Sequence, residues 1–141
     1  MEGLSSQDHE TLSLTNTNIF EIKNNDISYS RMGAIIAKNG NSNGKIYGNQ
    51  IHDTSGGAVY IDGWNLGASN IDIYKNIIYR IEGEPSGAIS ISSEKVGTVD
   101  NIKLYNNIIY DISSNGIAIP WYTQGQIKNV LIINNNIYNS V

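Results

Sequence analysis

The chain reads as an all-β solenoid, three short parallel sheets wound about one shared interior in about five coils. Three observations predict this. A phrase recurs, as Asn70-Ile71-Asp72-Ile73-Tyr74-Lys75-Asn76-Ile77-Ile78 and as Asn101-Ile102-Lys103-Leu104-Tyr105-Asn106-Asn107-Ile108-Ile109. Looser copies run from Phe20 to Ile27, Lys45 to Ile51 and Val130 to Ile137. Aligned on one residue they give Asn25, Asn49, Asn76, Asn107 and Asn135, spaced 24, 27, 31 and 28 apart, in the range expected of stacked repeats. Finally, no stretch keeps a 3.6-residue apolar stripe, whereas Ile at alternate positions is frequent.

Each copy divides into three strands. The first carries Gly-Ala or Asn-Gly before alternating apolar residues: Ala34-Ile35-Ile36-Ala37, Ala58-Val59-Tyr60-Ile61, Ala88-Ile89-Ser90-Ile91 and Gly116-Ile117-Ala118-Ile119. Thr11-Leu12-Ser13-Leu14 fits one copy earlier. Period-2 alternation turns Leu12, Ile35, Val59, Ile89 and Ile117 inward, with Leu14, Ala37, Ile61, Ile91 and Ile119 beside them.

The second strand contributes Phe20, Gly44, Ile71, Ile102 and Val130, then Ile22, Ile46, Ile73, Leu104 and Ile132. The third contributes Ile27, Ile51, Ile78, Ile109 and Ile137. Three inward faces per repeat require a closed coil, because each wall must face a common core. Burying one Ile contributes about 1.5–3 kcal/mol, enough when repeated to offset much of the ordering entropy.

Outward positions agree with that register. Glu21, Lys45, Asp72 and Lys103 alternate in sign, so stacked neighbours attract. Tyr47, Tyr74 and Tyr105 form one outward aromatic column, and Tyr79, Tyr110 and Tyr138 another, on which His52 is expected to stack. The aligned Asn residues are expected at the bend between strands two and three. There they would tolerate left-handed backbone and bond amide to amide between coils.

Composition narrows the function. The net charge is −4 and the nine basic residues are scattered, which argues against a nucleic-acid partner. Met1 to Glu10 is polar and acidic, and no segment is apolar enough to read as a signal peptide or membrane span. The absence of Cys removes disulfides and thiolate metal sites. No cofactor is expected. A Ca²⁺ ion needs several converging oxygens, and only Asp53 and Asp62 suggest themselves.

The loops after the first strand vary most: Lys38 to Asn43, Asp62 to Ser69, Ser92 to Asp100 and Pro120 to Gln126. Such elaborated loops stack on one edge and favour binding. They hold Asp62, Glu94, Trp64, Trp121 and Tyr122. Asp62 aligns with Ser92, which puts Asp62 and Glu94 on adjacent coils with carboxyls roughly 5–10 Å apart, a span that includes both glycosidase geometries. Glu94 is then the candidate acid/base and Asp62 the candidate nucleophile or electrostatic stabiliser. Trp64, Trp121 and Tyr122 are candidate sugar platforms. The plain alternative is that Asp62 caps the Asp62-Gly63 turn, Glu94 is a solvated charge and the indoles cover the coil edge.

The repeat, from about Thr11 to Val141, resembles the right-handed parallel β-helix of the pectin-lyase-like superfamily. That superfamily includes polysaccharide lyases, glycoside hydrolases, uronan epimerases, phage tailspikes and adhesins. The resemblance implies a carbohydrate-active chain working along an extended glycan outside the cell or in the periplasm. A non-catalytic glycan-binding or purely structural module is the alternative. The lyase cluster of Asp with a basic residue and the paired Asp of polygalacturonases are not recognisable. The last copy stops within a third strand, so an excised piece of a longer β-helix is expected, or a homo-oligomer stacked end to end. Residues 1–10 are read as a tag or an irregular cap.

Overall fold

The computed structural model describes residues 10–83 and 86–140; the expected tag or cap lies almost wholly outside them. Among the described residues, fifteen strands form three five-stranded parallel sheets, and every strand pairs with its counterparts one coil away. Sheet A holds β1 (Leu12–Thr15), β4 (Gly33–Lys38), β7 (Gly57–Asp62), β10 (Ile89–Ser92) and β13 (Ile117–Ala118). Sheet B holds β2 (Asn18–Lys23), β5 (Asn41–Tyr47), β8 (Ala68–Tyr74), β11 (Thr98–Tyr105) and β14 (Gln126–Ile133). Sheet C holds β3 (Asp26–Ser28), β6 (Gln50–Thr54), β9 (Ile77–Ile81), β12 (Ile108–Ile112) and β15 (Asn136–Ser140). The result is the parallel β-helix the repeat predicts.

Register follows the columns of like residues. Ile35 pairs with Val59, and Val59 with Ile89; Ile46 pairs with Ile73, and Ile73 with Leu104; Ile51 pairs with Ile78, and Ile78 with Ile109. All nine side chains are fully buried in one continuous core. The third strand contributes a further inward column that the repeat alone did not disclose, Thr54, Ile81 and Ile112. Phe20 and Gly44 are complementary within their column: a Cβ on Gly44 would lie 2.1 Å from the Phe20 ring, which fills the missing side chain's space.

Two inward columns end differently from expectation. Ile119 is 57% exposed and lies outside β13, because Pro120 follows it and cannot donate to a ladder. Ile132 and Ile137 keep their register but stay half exposed, since no described coil lies over them. The strands of sheet B also begin earlier than the loops implied. β5 starts at Asn41, which leaves only residues 39–40 between sheets A and B in that coil.

The five matched asparagines stand in single file. Asn49 Nδ2 donates to Asn76 Oδ1 (3.0 Å) and to Ile22 O (2.9 Å), and its Oδ1 accepts from the Asn25 N–H (3.1 Å) and Asn25 Nδ2 (3.0 Å). Asn76 and Asn107 repeat the pattern, so every amide donor and acceptor in the interior is used. The left-handed backbone, however, falls one residue earlier than expected, on Asn24, Gly48, Lys75, Asn106 and Asn134. The ladder residue is therefore conserved in type between coils for its amide and not for its φ.

Two further left-handed columns run along the outside. One is Ile19, Asn43, Asn70, Asn101 and Asn129; the other is Tyr29, Asp53, Arg80, Asp111 and Asn139. The first carries a second, exposed asparagine ladder: Asn43 donates to Asn18 (2.8 Å), Asn70 to Asn43 (3.1 Å) and Asn101 to Asn70 (2.8 Å). It ends where Asn129 turns to Asp100 instead.

The aromatic columns stack as expected. Tyr47, Tyr74 and Tyr105 have centroids 4.8 and 4.9 Å apart, and His52, Tyr79, Tyr110 and Tyr138 stand 4.9, 5.1 and 5.2 Å apart. Glu21, Lys45, Asp72 and Lys103 are in register, but Glu21 makes its close ion pair with Lys23 on its own strand, at 2.7 Å.

Candidate functional site

The outward positions of sheet A (Ile36, Tyr60 and Ser90) lie side by side on neighbouring strands. They floor a groove of about 470 Å³ whose remaining wall includes Lys38, Glu94, Lys95, Tyr122 and Gln124. β4, β7 and β10 end together at Lys38, Asp62 and Ser92, and Glu94 and Lys95 of the connection after β10 wall the groove. Apolar and polar side chains both line it. Ser90 Oγ is buried there without a hydrogen-bond partner among the described residues.

The candidate carboxylates meet at one lysine. Lys38 and Asp62 are register partners at the ends of β4 and β7, and Asp62 is in turn the partner of Ser92 at the end of β10. Lys38 Nζ lies 3.2 Å from Asp62 Oδ2 and 3.3 Å from Glu94 Oε2. Asp62 is fully buried, and its Oδ1 accepts from the backbone N–H of Trp64 (2.9 Å) and of Glu94 (3.0 Å). The expected turn cap is therefore present, extended to a second coil.

Asp62 Oδ2 is different: the lysine contact meets ion-pair distance without the direction of a hydrogen bond. Glu94 is held at its other oxygen by the Tyr60 hydroxyl, which donates to Oε1 at 2.6 Å. Burial first, then the Glu94 carboxylate, pushes the Tyr60 hydroxyl well above its usual range, so Tyr60 keeps its proton.

The platforms separate into two kinds. Trp64 is half-buried with Lys38 Nζ 3.9 Å and Lys95 Nζ 5.2 Å from its ring centroid, so cations already occupy its ring. Trp121 is 88% exposed and meets Tyr122 edge to face at 5.6 Å. Of the five candidate residues, Glu94 and Tyr122 line the groove; Asp62 is buried behind it, Trp64 reaches it only through Lys38 and Lys95, and Trp121 adjoins it only through Tyr122.

Sequence reasoning did not find Lys38 and Tyr60. Tyr60 was legible as an outward position among alternating residues. Lys38 falls opposite Asp62 by the same spacing that sets Ala37 beside Ile61, but its simultaneous reach to Glu94, two coils away, is visible only in the structure.

His52 stacks on Tyr79 as expected, and its ring nitrogens face Asp53 Oδ2 (2.6 Å) and Asp26 Oδ1 (2.8 Å). Asp53 is also gripped bidentately by Arg80, at 2.6 Å for each bond. Asp53 thus turns to sheet C partners while Asp62 turns to Lys38. Among the described residues no group of three or more His, Asp or Glu converges as metal ligands would.

No curated protein and no solved structure matches this chain. A family model described as the right-handed beta helix region matches residues 4–137. Together with the stacked parallel sheets and the internal asparagine file, that match settles the family. The chain belongs to the right-handed β-helix family.

Proposed function

We propose that the outer groove of sheet A binds an extended glycan, with Trp121 and Tyr122 as its aromatic platform. The observation that carries this reading is the pairing of an almost fully exposed indole with an amphipathic groove beside it. Sugar rings present apolar C–H faces and polar hydroxyl rims. Indole and phenol faces suit the first, while Glu94, Lys95 and Gln124 suit the second. The edge-to-face contact with Tyr122 leaves most of the indole open to a ligand.

A reading in which the groove also cleaves its glycan, by hydrolysis or elimination, is favoured by one contact. Tyr60 hands Glu94 a short hydrogen bond within the groove and leaves its other oxygen near Lys38. In this reading Glu94 is the acid/base. Asp62 supports it from behind, since a fully buried carboxylate that caps two N–H groups cannot approach a sugar carbon as a nucleophile.

A glycan array of neutral and acidic oligosaccharides, followed by calorimetry with the best ligand, tests the binding reading. Trp121→Ala should weaken that ligand roughly tenfold, which corresponds to about 1.4 kcal/mol. Binding at full strength without the indole, or no glycan retained at all, would remove the groove from this role. Glu94→Gln should abolish any cleavage while leaving binding in place; cleavage that survives would eliminate Glu94 as the acid/base.

A further inference from the structure

We propose that Lys38 and Asp62 form an intramolecular isopeptide bond, Nζ to Cγ, with Glu94 as the proton relay. The inference is independent of what the groove binds. It starts from an arrangement with little purpose as a salt bridge. A fully buried carboxylate faces one partly exposed ammonium at 3.2 Å without hydrogen-bond alignment, and such a contact recovers little of the cost of burying the carboxylate. A second carboxylate, Glu94, touches the same ammonium at 3.3 Å. Lysine, a buried aspartate and a glutamate contacting the lysine are the groups that amide condensation requires.

Each group has a position suited to one step. Nζ passes one proton to Oδ2, which leaves a neutral amine beside a neutral carboxylic acid. The amine lone pair then attacks Cγ, and negative charge develops on Oδ1. Oδ1 already faces the Trp64 and Glu94 backbone N–H groups at 2.9 and 3.0 Å, two donors fixed by the chain and aimed at the atom that gains charge.

Glu94 takes a second proton from the nitrogen and delivers it to the departing Oδ2, which leaves as water. The carbonyl reforms at Oδ1, and Glu94 returns to its carboxylate. One C–N bond forms, one C–O bond breaks, one water is released, and no oxidant or outside reactant is needed.

The surroundings favour condensation over its reversal. Asp62 is shut off from water, the reactant of hydrolysis, and the Trp64 ring lies 3.9 Å from Nζ. The Tyr60 hydroxyl bond to Oε1 leaves Oε2 as the oxygen presented to the lysine. The product joins β4 to β7 at the lip of the groove, tying two coils of a chain that has no Cys for a disulfide.

Intact-mass spectrometry of the purified chain tests this. The expected mass falls short of the sequence mass by one water molecule. Trypsin should leave residues 32–45, uncut after Lys38, joined to residues 46–75 as one branched peptide. Full sequence mass in the folded wild-type chain would overturn the proposal.

Asp62-Gly63 could also lose water by cyclising to a succinimide, so Lys38→Arg is the control. The deficit must vanish in that variant, and a deficit that persists would overturn the proposal as well. Glu94→Gln keeps the side chain's size and should slow cross-linking at least ~100-fold, the scale of general acid–base assistance. Unchanged cross-linking in that variant would overturn the relay.

Discussion

Replacing Asn76 by Ala tests whether the internal amide file is a source of stability or only a consequence of stacking. Asn76 is fully buried, donates to Ile46 O and Asn107 Oδ1 (both 3.0 Å), and accepts from the Asn49 N–H and Asn49 Nδ2 (both 3.0 Å). Asn49 Nδ2 retains Ile22 O, and Asn107 Oδ1 retains the Asn76 N–H, so those two groups stay satisfied. The Asn49 N–H and the side-chain bond on Ile46 O lose their partner in the dry interior. Each such loss costs about 1–3 kcal/mol, so the variant should be less stable by about 2–6 kcal/mol.

Asn70→Gly is the matched comparison. It removes a ladder amide with two partners on the exposed file and keeps the left-handed backbone available, so it should cost less than about 1 kcal/mol. Urea unfolding followed by circular dichroism measures both, with the slope checked for constancy. Stabilities within about 1 kcal/mol of each other would refute the claim that buried amide satisfaction holds the coils together.

Two other outcomes follow from the same packing. Gly44→Ala should destabilise the first two coils by about 1–3 kcal/mol, because the new methyl enters the Phe20 ring. Combining it with Phe20→Leu should recover part of that loss, and a strictly additive double variant would show that the two sites do not share space.

His52 should titrate above its usual value. Its bond to Asp53 raises it most, burial opposes, and Asp26 raises it further; only the doubly protonated ring can donate to both carboxylates. A raised folded value means the contribution is complete below about pH 6.5, the unfolded value, and is lost as pH climbs through the folded one. Imidazole chemical shifts against pH measure it. Asp53→Asn should lower the midpoint, and an unmoved midpoint would assign the shift to some other cause. The Asp53 carboxyl itself is held well below the usual carboxylate range, first by Arg80 and then by His52.

The repeat by itself makes the winding, the walls and most core columns legible. The reason is physical: each rung places its residue against the same residue type one coil away. Ile46, Ile73 and Leu104 therefore announce their shared burial by spacing alone. The tyrosine columns and the stacking of His52 on Tyr79 were legible on the same grounds.

Other features needed the third dimension. Backbone hand is a property of the bend and not of the residue that stands out by type. Thus Lys75 and Gly48 carry the left-handed turns while Asn76 and Asn49 carry the amides. The exposed asparagine file was hidden because its members are scattered among many other Asn residues.

The chain's own order determined that coils stack, which side chains point inward and which loops form the elaborated edge. Such information is periodic, and periodicity survives in one dimension. Tertiary structure alone decided that Lys38 sits between Asp62 and Glu94, that Asp62 is sealed from water and that Trp121 is open to it. The repeat sets Lys38 opposite Asp62, 24 positions on, but two side chains of different type give no sign that they meet, and the reach of Lys38 to Glu94, 56 positions on, follows no column. Charge, burial and reach combine at such a point only when the coils have closed on one another.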